Sequence, residues 1–330
     1  MADLVPEFSI IIPIKEINDY LRETVPRIQS LLFANWELLI VTNDAQESEW
    51  GGESRIRLLS SGRVGPAEKR DLAAKSARGE YLVFLDDDSY PNENLLNQAK
   101  QAFLSGAAAL GGPAMTPPED TFLQRTSGAV FSSLLTGGAP ARYRPIGVTR
   151  EVDDWPSVNL MIKRDVFLEI GGFDSPYWPG EDTFLCLKLL RSGRRITYVP
   201  EMIVWHHRRE GLLRHARQVG AYGLHRGYFA RHLPDNSRRA QYFLPSCTTL
   251  LAFLSIVPIF FEFLFLTEIV LICWAIYLSA VLIGIVDLMR FNGVLIGIFS
   301  IPYVIVTHLY YGYRFLRGFT MRGELVSKLR

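Results

Sequence analysis

Cysteine is scarce in this chain: there are three among 330 residues, Cys186, Cys247 and Cys273. They form no CxxC pair, which argues against a disulfide framework and against a thiolate zinc site. An excess of either charge is also missing, with 35 Lys+Arg against 34 Asp+Glu. That balance argues neither for nor against nucleic acid, and no nucleic-acid partner is expected. The opening "MADLVPEFSIIIPIKE" lacks a basic segment followed by a long apolar core. No secretory leader is expected from it, and the N-terminal part is read as cytosolic.

Long apolar runs are absent up to about residue 243 and then come in succession, over residues 243–266, 269–286 and 293–311. Each approaches the roughly 18–20 residues that cross a bilayer. Glu262, Glu268 and Asp287 fall at or near the proposed ends. Arg231, Arg238 and Arg239 precede the first run, and Arg314, Arg317, Arg322, Lys328 and Arg330 follow the last. Basic residues on both flanks favour an even number of crossings. Two to three helices are therefore expected over residues 243–316, with a basic tail at 317–330. The first run contains Pro258 and is the one expected to be interfacial or re-entrant.

The part before residue 243 alternates strand-like and helix-like segments. FSIIIPI reads as a buried strand, "NDYLRETVPRIQSLL" as an amphipathic helix, and "WELLIVTND" and "RIRLLSS" as two more strands. "GPAEKRDLAAKSARG" carries helix start and stop signals, and "EYLVFL" is a fourth strand that runs into "DDDSYP". The alternation predicts an α/β fold: a mostly parallel sheet with helices on both faces. Ligands of such sheets bind at the carboxyl ends of the strands. Pro13, Asp44 and Asp86–Asp88 should converge there. Three adjacent carboxylates repel one another, so either a cation or open solvent must offset the cost. "GAAALGGPAM" reads as a further strand, and residues 113–157 as a long irregular loop with a binding or gating role. "NLMIKRDVFLEIGGF" gives a strand and a short helix. "GED" opens a helix from about Glu181, where the helix dipole favours ionised carboxylates.

These pieces, in this order, resemble the family 2 glycosyltransferases, which have the GT-A (Rossmann-like) fold. The resemblance covers roughly residues 7–232 and rests on IIPIKE, VTND, GPAEKRDLAAKSARGEYLVFLDDD, NLMIKRDVFLEIGGF and GED. The following "VWHHRREGLLRHARQVGAYGLHRG" looks most like membrane-attached bacterial enzymes of exopolysaccharide or lipid-linked-sugar synthesis. The resemblance implies transfer of a sugar from a UDP-, GDP- or dTDP-sugar to an acceptor hydroxyl, with inversion and a divalent cation, Mn²⁺ or Mg²⁺. It implies that Asp88 binds metal and that Asp86 binds ribose or metal. Asp87 stays ambiguous, because three aspartates allow two registers. His206, rather than His207, would complete the metal shell. Asp182 would be the catalytic base, with Glu181 its neighbour. Pro13, Lys15 and Glu16 match the loop after the first strand, Asp44 the residue reading the base edge, and Lys69 and Arg70 a basic pair beside the nucleotide. Asn43 departs from the usual acidic pair.

A cytosolic transferase domain over residues 1–232 is expected, overlapped by a basic interface segment at 208–242 whose arginines lie among Leu, Tyr and Phe. The expected acceptor is polyprenyl-linked, and the site is the inner face of a plasma membrane, the chain crossing it more than once. Membrane lipid, and a second copy joined through the membrane region, are expected partners. Two rival readings are a processive polysaccharide synthase and a non-catalytic scaffold. Processive relatives carry QxxRW, and the nearest match here, at Gln218, lacks Arg-Trp.

Overall fold

The computed structural model describes residues 5–135, 138–260 and 264–325. Glu262, Lys328 and Arg330 lie outside them. The contacts divide the chain into two units. One comprises the chain up to Met115 together with Arg144–His207; the other comprises Thr116–Tyr143 and Arg208–Leu325.

In chain order the first unit runs β1 (Phe8–Pro13), α1 (Asp19–Gln29), β2 (Trp36–Thr42), β3 (Ile56–Ser60), α2 (Pro66–Ser76), β4 (Tyr81–Phe84), β5 (Ser89–Pro91), α3 (Leu95–Leu104), β6 (Ala109–Gly111) and β7 (Ala114–Met115). The chain passes through the other unit, where α4 (Phe122–Ser132) belongs, and returns. Then follow β8 (Arg150–Val152), β9 (Leu160–Lys163), α5 (Arg164–Glu169), α6 (Glu181–Arg191), β10 (Ile196–Tyr198) and β11 (Val204–His206). Eight strands form one sheet in the order β3-β2-β1-β4-β9-β6-β10-β8. The first four are parallel, β9 is antiparallel to both neighbours, β10 is parallel to β6, and β8 is antiparallel at the edge. A smaller sheet has the order β5-β11-β7.

Strand alternation sends side chains to both faces of the large sheet. Phe8, Ile10 and Ile12 join Leu21, Val25 and Ile28 of α1 and Leu96, Ala99 and Phe103 of α3 in one core. On the opposite face α2 packs against β1 and β2, and Phe84 meets Phe167 and Phe173. The mostly parallel sheet with helices on both faces is as expected. "GAAALGGPAM", however, forms two short strands in different sheets, β6 and β7, separated at Gly112 and Pro113. A Cβ on Gly112 would stand 1.9 Å from the Met202 carbonyl oxygen, so only glycine lets the backbones pass this closely.

The second unit is helical. After α4 come α7 (Leu212–His232), α8 (Pro234–Ser237), α9 (Ala240–Leu254), α10 (Val257–Phe260), α11 (Leu264–Asn292), α12 (Val294–Phe299), α13 (Ile301–Val306), a π-helical turn (Thr307–Tyr311) and α14 (Gly312–Thr320). The expected irregular loop at 113–157 thus holds an 11-residue helix, α4, opened by a reciprocal cap between Thr121 and Gln124. Ala129 and Val130 of α4 lie in a core with Val281, Ile285, Leu288 and Ile296. The first apolar run, the one expected to be interfacial or re-entrant, becomes the 15-residue α9 and the short α10, while Leu264–Asn292 and Val294–Thr320 are, among the described residues, two helices long and apolar enough to cross a bilayer by length and composition. The basic segment after β11 becomes α7, which runs parallel to the end of the last helix. His215 bonds Thr307, Gly220 meets Tyr310, Gly223 meets Tyr311, Gly227 meets Phe315, and Arg231 donates to the Phe319 carbonyl.

Candidate active site

Register brings the site together. Ile11 of β1 pairs with both Leu39 of β2 and Phe84 of β4, so the carboxyl ends of the three strands are level. Pro13, Asn43–Asp44 and Asp86 therefore leave the sheet side by side. Pro13 is buried, whereas Lys15, Glu16 and Asp44 are exposed at the rim. Asn43, beside Asp44, is joined to the loop bearing Lys15 through backbone: its N–H donates to the Lys15 carbonyl at 2.9 Å.

The three aspartates face different partners. The turn is set by Ser89, which accepts from the Asp86 N–H at 3.1 Å and donates to the Asp86 carbonyl at 2.9 Å. Asp86 and Asp88 come together with His206 at the end of β11; one ligand atom from each lies within 4.8 Å of the others. His206 Nε2 stands 3.1 Å from Asp88 Oδ1. Asp87 instead accepts from Asn18 Nδ2 at 2.7 Å. Asn18 also caps α1 by accepting from the Leu21 N–H. Burial, then the neighbouring Asp88 charge, push the Asp87 carboxyl up to about 6. Two carboxylates and one imidazole suit a divalent cation of the Mn²⁺ or Mg²⁺ kind, since carboxylate oxygens are hard ligands and imidazole binds Mn²⁺ readily. The residues present therefore fit such an ion.

A second carboxylate pair is tied to the first. Glu181 and Asp182 open α6 after Gly180, whose φ of 116° suits glycine alone. Arg70 of α2 is 2 % exposed and bridges the two groups, with Nη2 2.6 Å from Asp86 Oδ1 and Nη1 3.2 Å from Glu181 Oε1. Burial first, then repulsion from Asp182, push the Glu181 carboxyl up to about 7 against the pull of Arg70. Asp182, less buried, accepts from the Thr183 N–H at 2.7 Å.

Lys69 is equally enclosed. Its ammonium donates to the Ile14 carbonyl and, at 2.6 Å, to Asn43 Oδ1. Burial first, then Lys15, lower its affinity for the proton. Asn43 is thereby accounted for, because its side-chain oxygen holds this lysine while its backbone joins the β1 loop. The residues expected from sequence thus lie at one end of the large sheet. Unforeseen were Asn18, which takes up Asp87, and Ser89, which shapes the turn. The helix-cap position of Asn18 was a readable signal; its tie to an aspartate 69 residues away was not.

A family described as Glycosyl transferase family group 2 matches residues 81–287. A pre-mycofactocin glycosyltransferase of Mycobacterium tuberculosis is 26 % identical over 241 residues, 70 % of this chain and 49 % of that protein. The O-antigen biosynthesis protein RfbC of Myxococcus xanthus is 27 % identical over 227 residues, 61 % of this chain and 17 % of that protein. The chain thus spans about half the length, or less, of these curated relatives. Among solved structures, the mannosyltransferase PcManGT from Pyrobaculum calidifontis in complex with GDP-Man and Mn²⁺ superposes with a TM-score of 0.50 at 18 % identity. The match covers 71 % of this chain and 66 % of that one, a likeness of fold, GT-A-like. With more than half of its length matched by one family, the chain belongs to the glycosyl transferase family group 2.

Proposed function

We propose that this chain transfers a sugar, with inversion, from a nucleoside-diphosphate sugar to an acceptor hydroxyl on a polyprenyl-linked molecule at the cytosolic face of a plasma membrane. The observation that carries the reading is the meeting of Asp86, Asp88 and His206 beside a carboxylate pair that Arg70 ties to them. Asp86, Asp88 and His206 would hold Mn²⁺ or Mg²⁺, which when bound offsets negative charge on a diphosphate leaving group. Asp182 receives the acceptor's proton. Glu181 beside it stays buried against Arg70, so the two carboxylates meet different environments, as acid–base pairs require. Pro13, Lys15, Glu16 and Asp44 frame the nucleotide, with Lys69 and Arg70 fixing that frame from beneath. The two long apolar helices and the arginine-rich α7 support attachment to a membrane that presents a lipid-linked acceptor.

Asp88→Asn in the full chain tests the reading. Sugar transfer should fall at least about 100-fold. Mn²⁺-dependent thermal stabilisation by GDP-mannose or UDP-N-acetylglucosamine should vanish while the melting temperature without ligand holds. Undiminished turnover would refute it.

A further inference from the structure

Next to Lys69 and Arg70 on α2 stands Asp71, which no part of the proposed chemistry uses. Its carboxylate does not face the nucleotide end. Oδ1 accepts from the Phe173 N–H at 2.7 Å and Oδ2 from the Asp174 N–H at 2.9 Å. Lys188 of α6 takes the other side of the same peptides. Its Nζ donates to the carbonyls of Phe173 at 2.9 Å, Gly172 at 3.2 Å and Asp174 at 3.5 Å. Anion and cation thus face each other through one short stretch of backbone, the anion holding its N–H groups and the cation its C=O groups. Peptide dipoles between them link the charges, and hydrogen bonds to charged groups are the stronger kind.

The stretch itself is shaped for this. Gly172 has φ +63°, and a Cβ there would stand 2.4 Å from Asp71 Oδ1. Asp174 has φ +30°, a conformation that L residues rarely adopt and that persists where the surroundings over-determine it. Phe173 between them is fully buried. Its ring lies against Phe84 at the end of β4, with the Arg70 guanidinium 5.3 Å from its centroid. Burial raises the Asp71 carboxyl and lowers the Lys188 ammonium, as expected for charges withdrawn from water.

Lys188 lies two helical turns beyond Glu181 on the same helix. Whatever fixes Lys188 against α2 also fixes the first turn of α6, where Glu181 and Asp182 stand. We infer that Asp71 and Lys188 are positioning residues: they clamp residues 172–174 between α2 and α6 and so set where the Glu181–Asp182 pair stands relative to Asp86. The inference deepens the reading of Asp182 given above and rests on it for its catalytic consequence. Its structural half can be tested without turnover.

The experiment uses the full chain in detergent, as wild type, Asp71→Ala, Asp71→Asn, Lys188→Met and the Asp71→Ala/Lys188→Met double variant. Hydrogen–deuterium exchange is followed without ligand. Peptides covering 172–174 and 181–187 should exchange at least about tenfold faster in Asp71→Ala, with those covering β1 and β2 unchanged. Transfer is then measured with Mn²⁺ and GDP-mannose or UDP-N-acetylglucosamine, whichever the wild type uses. kcat should fall about 10- to 100-fold with the donor KM held within twofold, since small misplacements of a reacting group cost about that much. Asp71→Asn keeps one acceptor oxygen and should fall between. The double variant should be no slower than the poorer single variant, because both residues act on one segment. Unchanged exchange at 181–187 would overturn the clamp, as would an unchanged kcat, or a kcat that falls only in step with donor binding. Asp182→Asn is assayed alongside: full activity there would sink the reading of Asp182, while the exchange data still decide the clamp.

Discussion

At the scale of single residues, the aspartate triplet shows how far sequence reaches. "DDD" after an apolar strand was legible as an acidic turn at the carboxyl end of the sheet, but which two carboxylates come together was not. Asn18 and His206, 69 residues before Asp87 and 118 after Asp88, decide that, and no local pattern carries such distances. Glu37 was missed for the opposite reason: within "WELLIVT" it reads as a polar interruption of a strand. It is fully buried and accepts from Ser9 Oγ at 2.7 Å, the Arg78 N–H at 2.6 Å, Arg78 Nε at 3.0 Å and Arg57 Nη1 at 3.0 Å. These bonds outweigh the upward push of burial and hold its carboxyl below the ordinary range. The sign follows: the folded state binds this proton less readily than the unfolded one. Its stabilisation is therefore present above the unfolded value near 4.3 and lost as pH falls through the folded value. Glu37→Gln should cost about 1–3 kcal/mol at pH 7. The gap between the variant's melting temperature and the wild type's should narrow steadily below pH 4; a gap independent of pH would contradict this.

At the scale of elements, most strands and helices of the first unit were legible, because short continuous apolar runs and Gly or Pro punctuation mark them clearly. What α2 does was not. Its consecutive Lys69, Arg70 and Asp71 each reach different segments, Ile14 and Asn43, Asp86 and Glu181, and residues 173–174, which a reading of two basic residues beside a nucleotide does not anticipate. The helix α4 was missed although "TFLQ" contains the Thr-x-x-Gln signal; a stretch rich in Gly and Pro masked it. In the second unit the glycines of α7 explain its close approach to α14. A Cβ on Gly227 would stand 2.0 Å from the Phe315 carbonyl oxygen, so Gly227→Ala must part the helices. Alanine gains up to about 1 kcal/mol in helix propensity, but overpacking of this kind costs about 1–3 kcal/mol. A melting temperature several degrees lower is expected, against little change for Gly52→Ala, where nothing lies within 4 Å. A Gly227→Ala protein as stable as wild type would show that the helices can separate freely.

At the scale of the whole molecule, the change of composition near residue 243 predicts one boundary, between a soluble head and an apolar tail. The chain is organised otherwise. It leaves the first unit after Met115, returns at Arg144 and leaves again after His207. The signal was weak because residues 116–143 have the composition of a surface loop, and their partners, such as Asp287, which accepts from the Leu134 N–H at 3.1 Å, lie about 150 residues on. No single cut in the chain therefore separates the two units. A chain ended after His207 keeps α4 but loses every helix that covers Ala129 and Val130, and it should aggregate or be nicked between residues 116 and 143 in limited proteolysis. A monodisperse, protease-resistant product would count against this. One short piece of the second unit is thus spliced into the first, as an inserted word splits a sentence. A version reduced to the first unit is to be sought by replacing residues 116–143 with a short linker as well as by ending the chain after His207.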